Sequence, residues 1–186
     1  MTTRWRPEFD PEDLYFVTTN AAKRTRILQG EAVKRILVDG LHYVCLMNKV
    51  QLFAFVVMPN HIHVMIQCPP DCPPARWARA YKTSTSQLII RLYLVQQNRR
   101  ALESLAALVT RPEKQLYKVW EDGYLAKSVI TPAFCTEKIE YIHNNPVQAH
   151  WQLADSPEDY AWSSARYYVR GEPCVIPVRD VRELLG

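Results

Sequence analysis

Residues Leu52 to Gln67, LFAFVVMPNHIHVMIQ, leave the chain few folds to choose from. Two apolar runs meet at Pro59-Asn60, a pair that breaks one strand and turns the chain into the next. Strand side chains alternate faces, so His61, His63 and Met65 share one side while Ile62, Val64 and Ile66 take the other. Two imidazoles at i and i+2 stand roughly 7 Å apart at their Cα atoms. Both rings can therefore converge on a single metal ion.

The flanking segments extend this hairpin into a sheet with helices. Leu14–Thr19 (LYFVTT) is rich in aromatic and β-branched residues and predicts a first strand, closed by Asn20 and followed by Lys23, Arg24 and Arg26. A helix is expected over about 26–38, with Ile27, Val33, Ile36 and Leu37 as its buried stripe and Asp39-Gly40 as its stop. Residues 42–48 read equally as a short strand or as the end of that helical layer. The Pro-rich stretch 69–74 opens a long helix over about 75–96, on which Arg76, Arg79, Lys82 and Arg91 alternate with Trp77, Tyr81 and Tyr93. Residues 98–114 look peripheral. Residues 116–120 and 124–130 flank an Asp-Gly turn and supply the last strand, and Thr131-Pro132 starts a helix that ends before Asn145-Pro146.

Strand, helix, strand, strand, helix, strand, helix predicts an α+β fold, a ferredoxin-like antiparallel sheet (βαββαβ) with the helices on one face. Residues 1–168 are expected to form one domain and 169–186 a C-terminal tail. A hydrophobic content of 48% with 23% charged residues fits such a globular domain. No apolar run approaches the roughly 20 residues of a membrane span, and the N-terminal MTTRWRPEFDPED lacks the apolar centre of a secretory signal. Five scattered cysteines suit reduced thiols, so a cytoplasmic, nucleoid-associated location is expected. A net charge of +4 permits a nucleic-acid partner without requiring one.

A second cluster of chemistry closes the late helix, in Glu140-Tyr141-Ile142-His143-Asn144-Asn145-Pro146. Cys135, Ile139 and Ile142 fall at core-facing intervals. Tyr141 and Asn145 point the same way one turn apart. A phenol and an amide oxygen on one face suit a nucleophile beside a metal ligand.

Met58-Pro59-Asn60-His61-Ile62-His63-Val64-Met65, followed downstream by Glu140–Val147, resembles the single-tyrosine HUH transposases of bacterial insertion sequences. More closely it is similar to the branch of REP-associated tyrosine transposases. Tyr81–Ser86 (YKTSTS), Val119–Tyr124 (VWEDGY) and Pro157–Ala165 (PEDYAWSSA) carry the likeness further, over about residues 12–168. The resemblance implies that His61 and His63 are the paired histidines, that Tyr141 is the nucleophile and that Asn145 takes the place of the third protein ligand. It also implies Mg²⁺ or Mn²⁺ as the cofactor, with no ATP. The expected reaction is cleavage of single-stranded, hairpin-bearing DNA through a 5′-phosphotyrosine link that a 3′-hydroxyl can reverse. Lys138, His143 and a metal-bound water are candidates for the general base. Such relatives act as homodimers or monomers.

The basic residues Lys23, Arg24, Arg26, Arg76, Arg79 and Lys82 are the expected phosphate contacts, and Trp5, Trp77 and Tyr81 the expected base-stacking rings. Three rival readings share parts of this pattern. A histidine-triad hydrolase needs a third alternate histidine, where Met65 stands. A zinc site would recruit Cys68 and Cys72 beside the histidines. A domesticated DNA-hairpin binder would keep the scaffold without cutting.

Overall fold

A computed structural model describes residues 9–185 of the chain. Its sheet has four strands, β1 (Leu14–Asn20), β2 (Gln51–Val57), β3 (His61–Gln67) and β4 (Leu125–Val129). They lie in the order β2-β3-β1-β4, every pair antiparallel. The helices are α1 (Glu31–Met47), α2 (Pro74–Val95), α3 (Arg99–Ala106), α4 (Pro132–Asn144), α5 (Ala165–Arg170) and α6 (Arg182–Leu185). The ferredoxin-like βαββαβ plan expected from the sequence is the plan observed.

Helices cover both faces of the sheet rather than one. Tyr15, Val17, Ile62, Val64 and Ile66 face a core built with α1 and α2. Leu14, Phe16 and Met65 face a second core, which α4 fills with Cys135, Ile139 and Ile142. The reason is legible in β1 and β3, whose central residues are buried on both sides. A strand apolar on alternate and intervening positions alike needs cover on each face. All five cysteines are free thiols.

The first helix differs from expectation at both ends. It starts at Glu31 and runs straight through Asp39-Gly40 to Met47, so residues 42–47 are its last turns. Gly40 is a contact point and not a stop. A β-carbon there would stand 2.8 Å from Thr85 Cγ2 of α2. Beside it, the Tyr81 hydroxyl donates to Leu37 O at 3.1 Å. The absent side chain lets α1 and α2 approach closely enough to bury Tyr81 and Trp77, whose rings stack at 5.5 Å. Both rings are sealed in the core. They are unavailable for the base stacking expected of them, and Trp5 lies outside the described residues.

The chain after α4 closes the outer edge of β2. Val57 N donates to Trp162 O, Ser164 N to Phe55 O, and Arg179 N to Leu52 O, at 2.8–3.0 Å. Phe55 N donates to Ser164 Oγ at 2.9 Å, and the Tyr168 hydroxyl donates to Phe53 O at 2.9 Å. An edge that would otherwise offer free backbone groups to another chain is thereby occupied. The segment beyond 168 is held in place as well, with Ile176 buried in the α1–α2 core and Val181 in the α4 core. His143 ties α4 to this wrap through a 2.8 Å bond between its Nε2 and Ser164 Oγ.

Two stability outcomes follow. Gly40→Ala lowers the unfolding free energy measured in urea by about 1–2 kcal/mol despite alanine's higher helix propensity, because the buried Thr85 methyl stands in the way. In a Thr85→Ser background, which keeps the hydroxyl and removes the methyl, the same change becomes neutral or stabilising. Burial holds the His143 imidazole down at about 4. The unfolded chain therefore takes up a proton first as pH falls. Its contribution to stability is complete above the ordinary histidine range near 6.5 and is lost as pH drops toward 4, roughly 2 kcal/mol by pH 5. Chemical denaturation at pH 7 and pH 5 checks this: His143→Gln flattens the pH dependence by that amount.

Candidate active site

The sheet register builds the site. Thr18 of β1 stands opposite His63, and Asn20 opposite His61. The pairing brings Thr18 Oγ1 within 2.7 Å of His63 Nδ1. The other imidazole is held from its own turn, where Asn60 Oδ1 lies 2.5 Å from His61 Nδ1. The Asn60 amide nitrogen donates to Arg24 O at 3.1 Å. With an amide oxygen as its partner, His61 Nδ1 carries the proton, and Nε2 keeps its lone pair. In His63, Nε2 is buried and has no hydrogen-bond partner. The two rings lie 4.6 Å apart at their centroids.

Burial lowers the His61 imidazole to about 4, with the nearby Arg24 guanidinium and His150 adding to the effect. Burial also takes His63 well below the ordinary histidine range, with His61 as a further cause. Both rings are neutral near pH 7, the form in which imidazole nitrogens act as ligands.

From the late helix, α4 delivers Tyr141 and Asn145 to the same place, as their one-turn spacing predicted. The Tyr141 ring sits 5.2 Å from the His63 ring and 5.9 Å from Phe16. Its side chain remains 45% exposed, so the phenol opens to solvent rather than to the core. Asn145 is buried, yet its carboxamide bonds to no other described residue. All four residues come from one chain and line one cleft of about 520 Å³.

The cleft is basic. Arg24, Lys127 and Lys138 line it, and among the described residues no aspartate or glutamate does, although Lys138 pairs with Glu137 at 2.6 Å. The Lys138 ammonium lies over the Phe134 ring at 4.8 Å and near the Tyr141 ring at 5.7 Å. Trp151 forms part of the wall, 6.0 Å from His61, with the Arg26 guanidinium 5.1 Å from its ring centroid. These surroundings suit a substrate that combines phosphate charge with flat bases.

Of the other residues expected to meet DNA, only some reach this region. Arg24 lines the cleft and Arg26 stands at its rim, while Lys23 is exposed outside it and directs Nζ toward Ala107 O at 3.4 Å. Arg76, Arg79 and Lys82 belong to α2, on the other side of the sheet. Arg76 donates to Asp71 O at 2.6 Å, and Lys82 donates to Glu121 O at 2.5 Å and Gly123 O at 2.7 Å. His143, a candidate base, is turned into the core against Ser164. Cys68 and Cys72 point into the α1–α2 core, and among the described residues no three His, Cys, Asp or Glu side chains gather into one cluster. The zinc alternative therefore has no site.

No site role for Thr18, Phe16, Lys127 or Trp151 is visible in the sequence, where Asn60 reads only as a turn and motif residue. Thr18, Phe16 and Lys127 enter through register alone, because Phe16 pairs with both Met65 and Lys127 across the sheet. Asn60 carried a signal, since it immediately precedes the histidine pair. Trp151 carried none.

The family model for IS200-like transposases matches residues 14–145. Among solved structures the chain is similar to a REP-associated tyrosine transposase bound to a REP hairpin. That match has 18% identity and a TM-score of 0.65, and covers 97% of this chain and 93% of the other. It is also similar to a proposed transposase from Deinococcus radiodurans R1, with 17% identity, a TM-score of 0.48, and 77% and 97% covered. No curated protein matches. At 18% identity the REP-associated structure speaks for the fold, and the family model speaks for descent. Its match begins with β1, takes in all four strands and ends on Asn145. The chain belongs to the family of IS200-like transposases.

Proposed function

We propose that this transposase is a metal-dependent single-strand DNA endonuclease and strand transferase of the REP-associated branch. In this reading it recognises hairpin-bearing single-stranded DNA, cleaves it through a 5′-phosphotyrosine on Tyr141 and can rejoin it. The observation that carries the reading is the half-exposed Tyr141 ring, 5.2 Å from a histidine whose inner nitrogen is buried without a partner. The structural neighbour bound to a REP hairpin suggests the kind of DNA.

His61 and His63 through Nε2, and Asn145 through its amide oxygen, would hold Mg²⁺ or Mn²⁺. The residues fit such an ion: both Nδ1 atoms are engaged, both rings are neutral, and His63 Nε2 lacks any other partner. When bound, the ion polarises the scissile phosphodiester and offsets the charge that develops on its oxygens. Three neutral donors leave its full charge available for that purpose.

Tyr141 supplies the bond chemistry. Its Oη forms a bond to phosphorus as the bond to O3′ breaks. The phenolic proton passes to solvent, which the exposed side chain reaches directly, and the departing O3′ takes up a proton to become a 3′-hydroxyl. One phosphodiester replaces another, so bond energy is conserved and a 3′-hydroxyl can later attack to release Tyr141. Arg24, Lys127 and Lys138 hold the strand by its phosphates, and Trp151 offers a face to a base. In-line attack needs a backbone freed from the duplex stack, which favours single-stranded substrate.

Incubation of labelled hairpin-bearing single-stranded DNA with Mn²⁺ or Mg²⁺ is expected to give a denaturant-resistant protein–DNA adduct. Tyr141→Phe and chelation each reduce adduct formation on the order of 10³-fold or more, while Tyr141→Phe still binds the DNA. An unchanged yield in Tyr141→Phe would sink the assignment, and binding without any adduct from the native chain would favour a non-cutting hairpin binder. Thr18→Val preserves shape but strips His63 Nδ1 of its partner. It is expected to weaken Mn²⁺ binding about 10- to 100-fold by calorimetry. Unaltered affinity would remove His63 from the ligand set.

A further inference from the structure

Two segments prominent in the sequence, Tyr81–Ser86 and Val119–Tyr124, line no part of the cleft. The fold brings them together. The Tyr81 and Trp120 rings meet at 5.8 Å, and Trp120 Nε1 donates to Thr85 Oγ1 at 3.0 Å. Lys82 Nζ binds the carbonyls of Glu121 and Gly123. From this anchored loop, three bonds reach the turn after β1. Ala22 N donates to Val119 O at 2.8 Å, Glu121 N to Asn20 O at 2.9 Å, and Lys23 N to Glu121 Oε1.

That turn is strained. Lys23 and Arg24 have φ of 50° and 52°, consecutive left-handed residues of which neither is glycine or asparagine. Such strain persists where the surroundings over-determine it, and it concentrates at functional sites. Its product here is the placement of Arg24, whose side chain lines the cleft beside His61. The Arg24 carbonyl also accepts from Asn60, the residue that orients His61. Among the described residues, the Glu121 carboxylate forms no ion pair with the basic side chains around it and takes the Lys23 amide instead.

We propose that Glu121 is a positioning residue: by accepting the Lys23 amide, its carboxylate holds the left-handed turn that aims Arg24 at a DNA phosphate in the cleft. The inference rests on the reading of the site as one that acts on single-stranded DNA. It carries a signature of unusual sign. Removing an acidic side chain adds one positive unit to the net charge of +4, which by bulk electrostatics tightens DNA binding. Loss of the Arg24 contact weakens it.

The test measures binding of labelled single-stranded hairpin DNA over a range of salt, in a Tyr141→Phe parent with chelator present. Glu121→Gln keeps an acceptor oxygen and is expected to bind at least as tightly as the parent, with the same salt dependence. Glu121→Ala has the same net charge and is expected to bind several-fold more weakly. Its slope of log K against log salt is expected to be shallower by about one. Arg24→Gln should lose at least as much, and adding Glu121→Ala to it should bring no further loss. Hydrogen exchange at the Lys23 amide, fast in Glu121→Ala and slow in Glu121→Gln, reports on the turn even if affinity is hard to measure. Equal binding by Glu121→Ala and Glu121→Gln overturns the proposal, as do additive effects with Arg24→Gln or a loss of affinity at unchanged slope. A parent that binds no single-stranded DNA overturns the function reading together with it.

Discussion

The pairing of β1 with β3 is the constraint on which the cleft depends. It sets Thr18 against His63 and Asn20 against His61, so one strand's hydroxyl fixes the other strand's imidazole. Because side chains alternate along a strand, a slip of one residue would send both histidines into the α1–α2 core and bring Ile62 and Val64 to the cleft. The central residues of both strands are buried on both faces, and burial of a strand face is what specifies register. The placement of the two imidazoles is thus inherited from apolar packing several residues away.

Two-sided burial also explains how α4 brings Tyr141, the proposed nucleophile, to the cleft. Its inner face, through Cys135, Ile139 and Ile142, is fixed against the second core. The neighbouring face then has no choice but to present Tyr141 and Asn145 along the sheet surface where the histidines emerge. The wrap of residues 160–181 along β2 seals the same core from its far side, with Tyr160 donating to Val57 O at 2.8 Å. A phenol half open to water and an amide almost buried are the two environments a nucleophile and a ligand respectively need.

Charge in the cleft is one-sided, and the fold tolerates the cost in two ways. Lys138 lies against the Phe134 and Tyr141 rings and pairs with the exposed Glu137 carboxylate at 2.6 Å. Arg24 is presented by a strained turn held from the opposite segment.

Much of this was legible in the sequence because it depends on short-range periodicity. The alternation in LFAFVVMPNHIHVMIQ put His61 and His63 on one face, and the helical turn put Tyr141 beside Asn145. Gly40 misled because a glycine that permits close helix contact looks, in one dimension, like a glycine that ends a helix. Trp77, Tyr81 and Lys82 misled because a basic, aromatic helix face reads alike whether it meets DNA or its own core and neighbouring loop. Thr18, Lys127, Trp151 and the Arg24–Glu121 relationship had no local signature at all. Sequence alone determined which residues share a strand face or a helix face, since backbone geometry repeats every two or 3.6 residues. Only the tertiary structure decided which faces meet, because cross-strand register and helix placement come from burying two cores at once, a property no single segment contains.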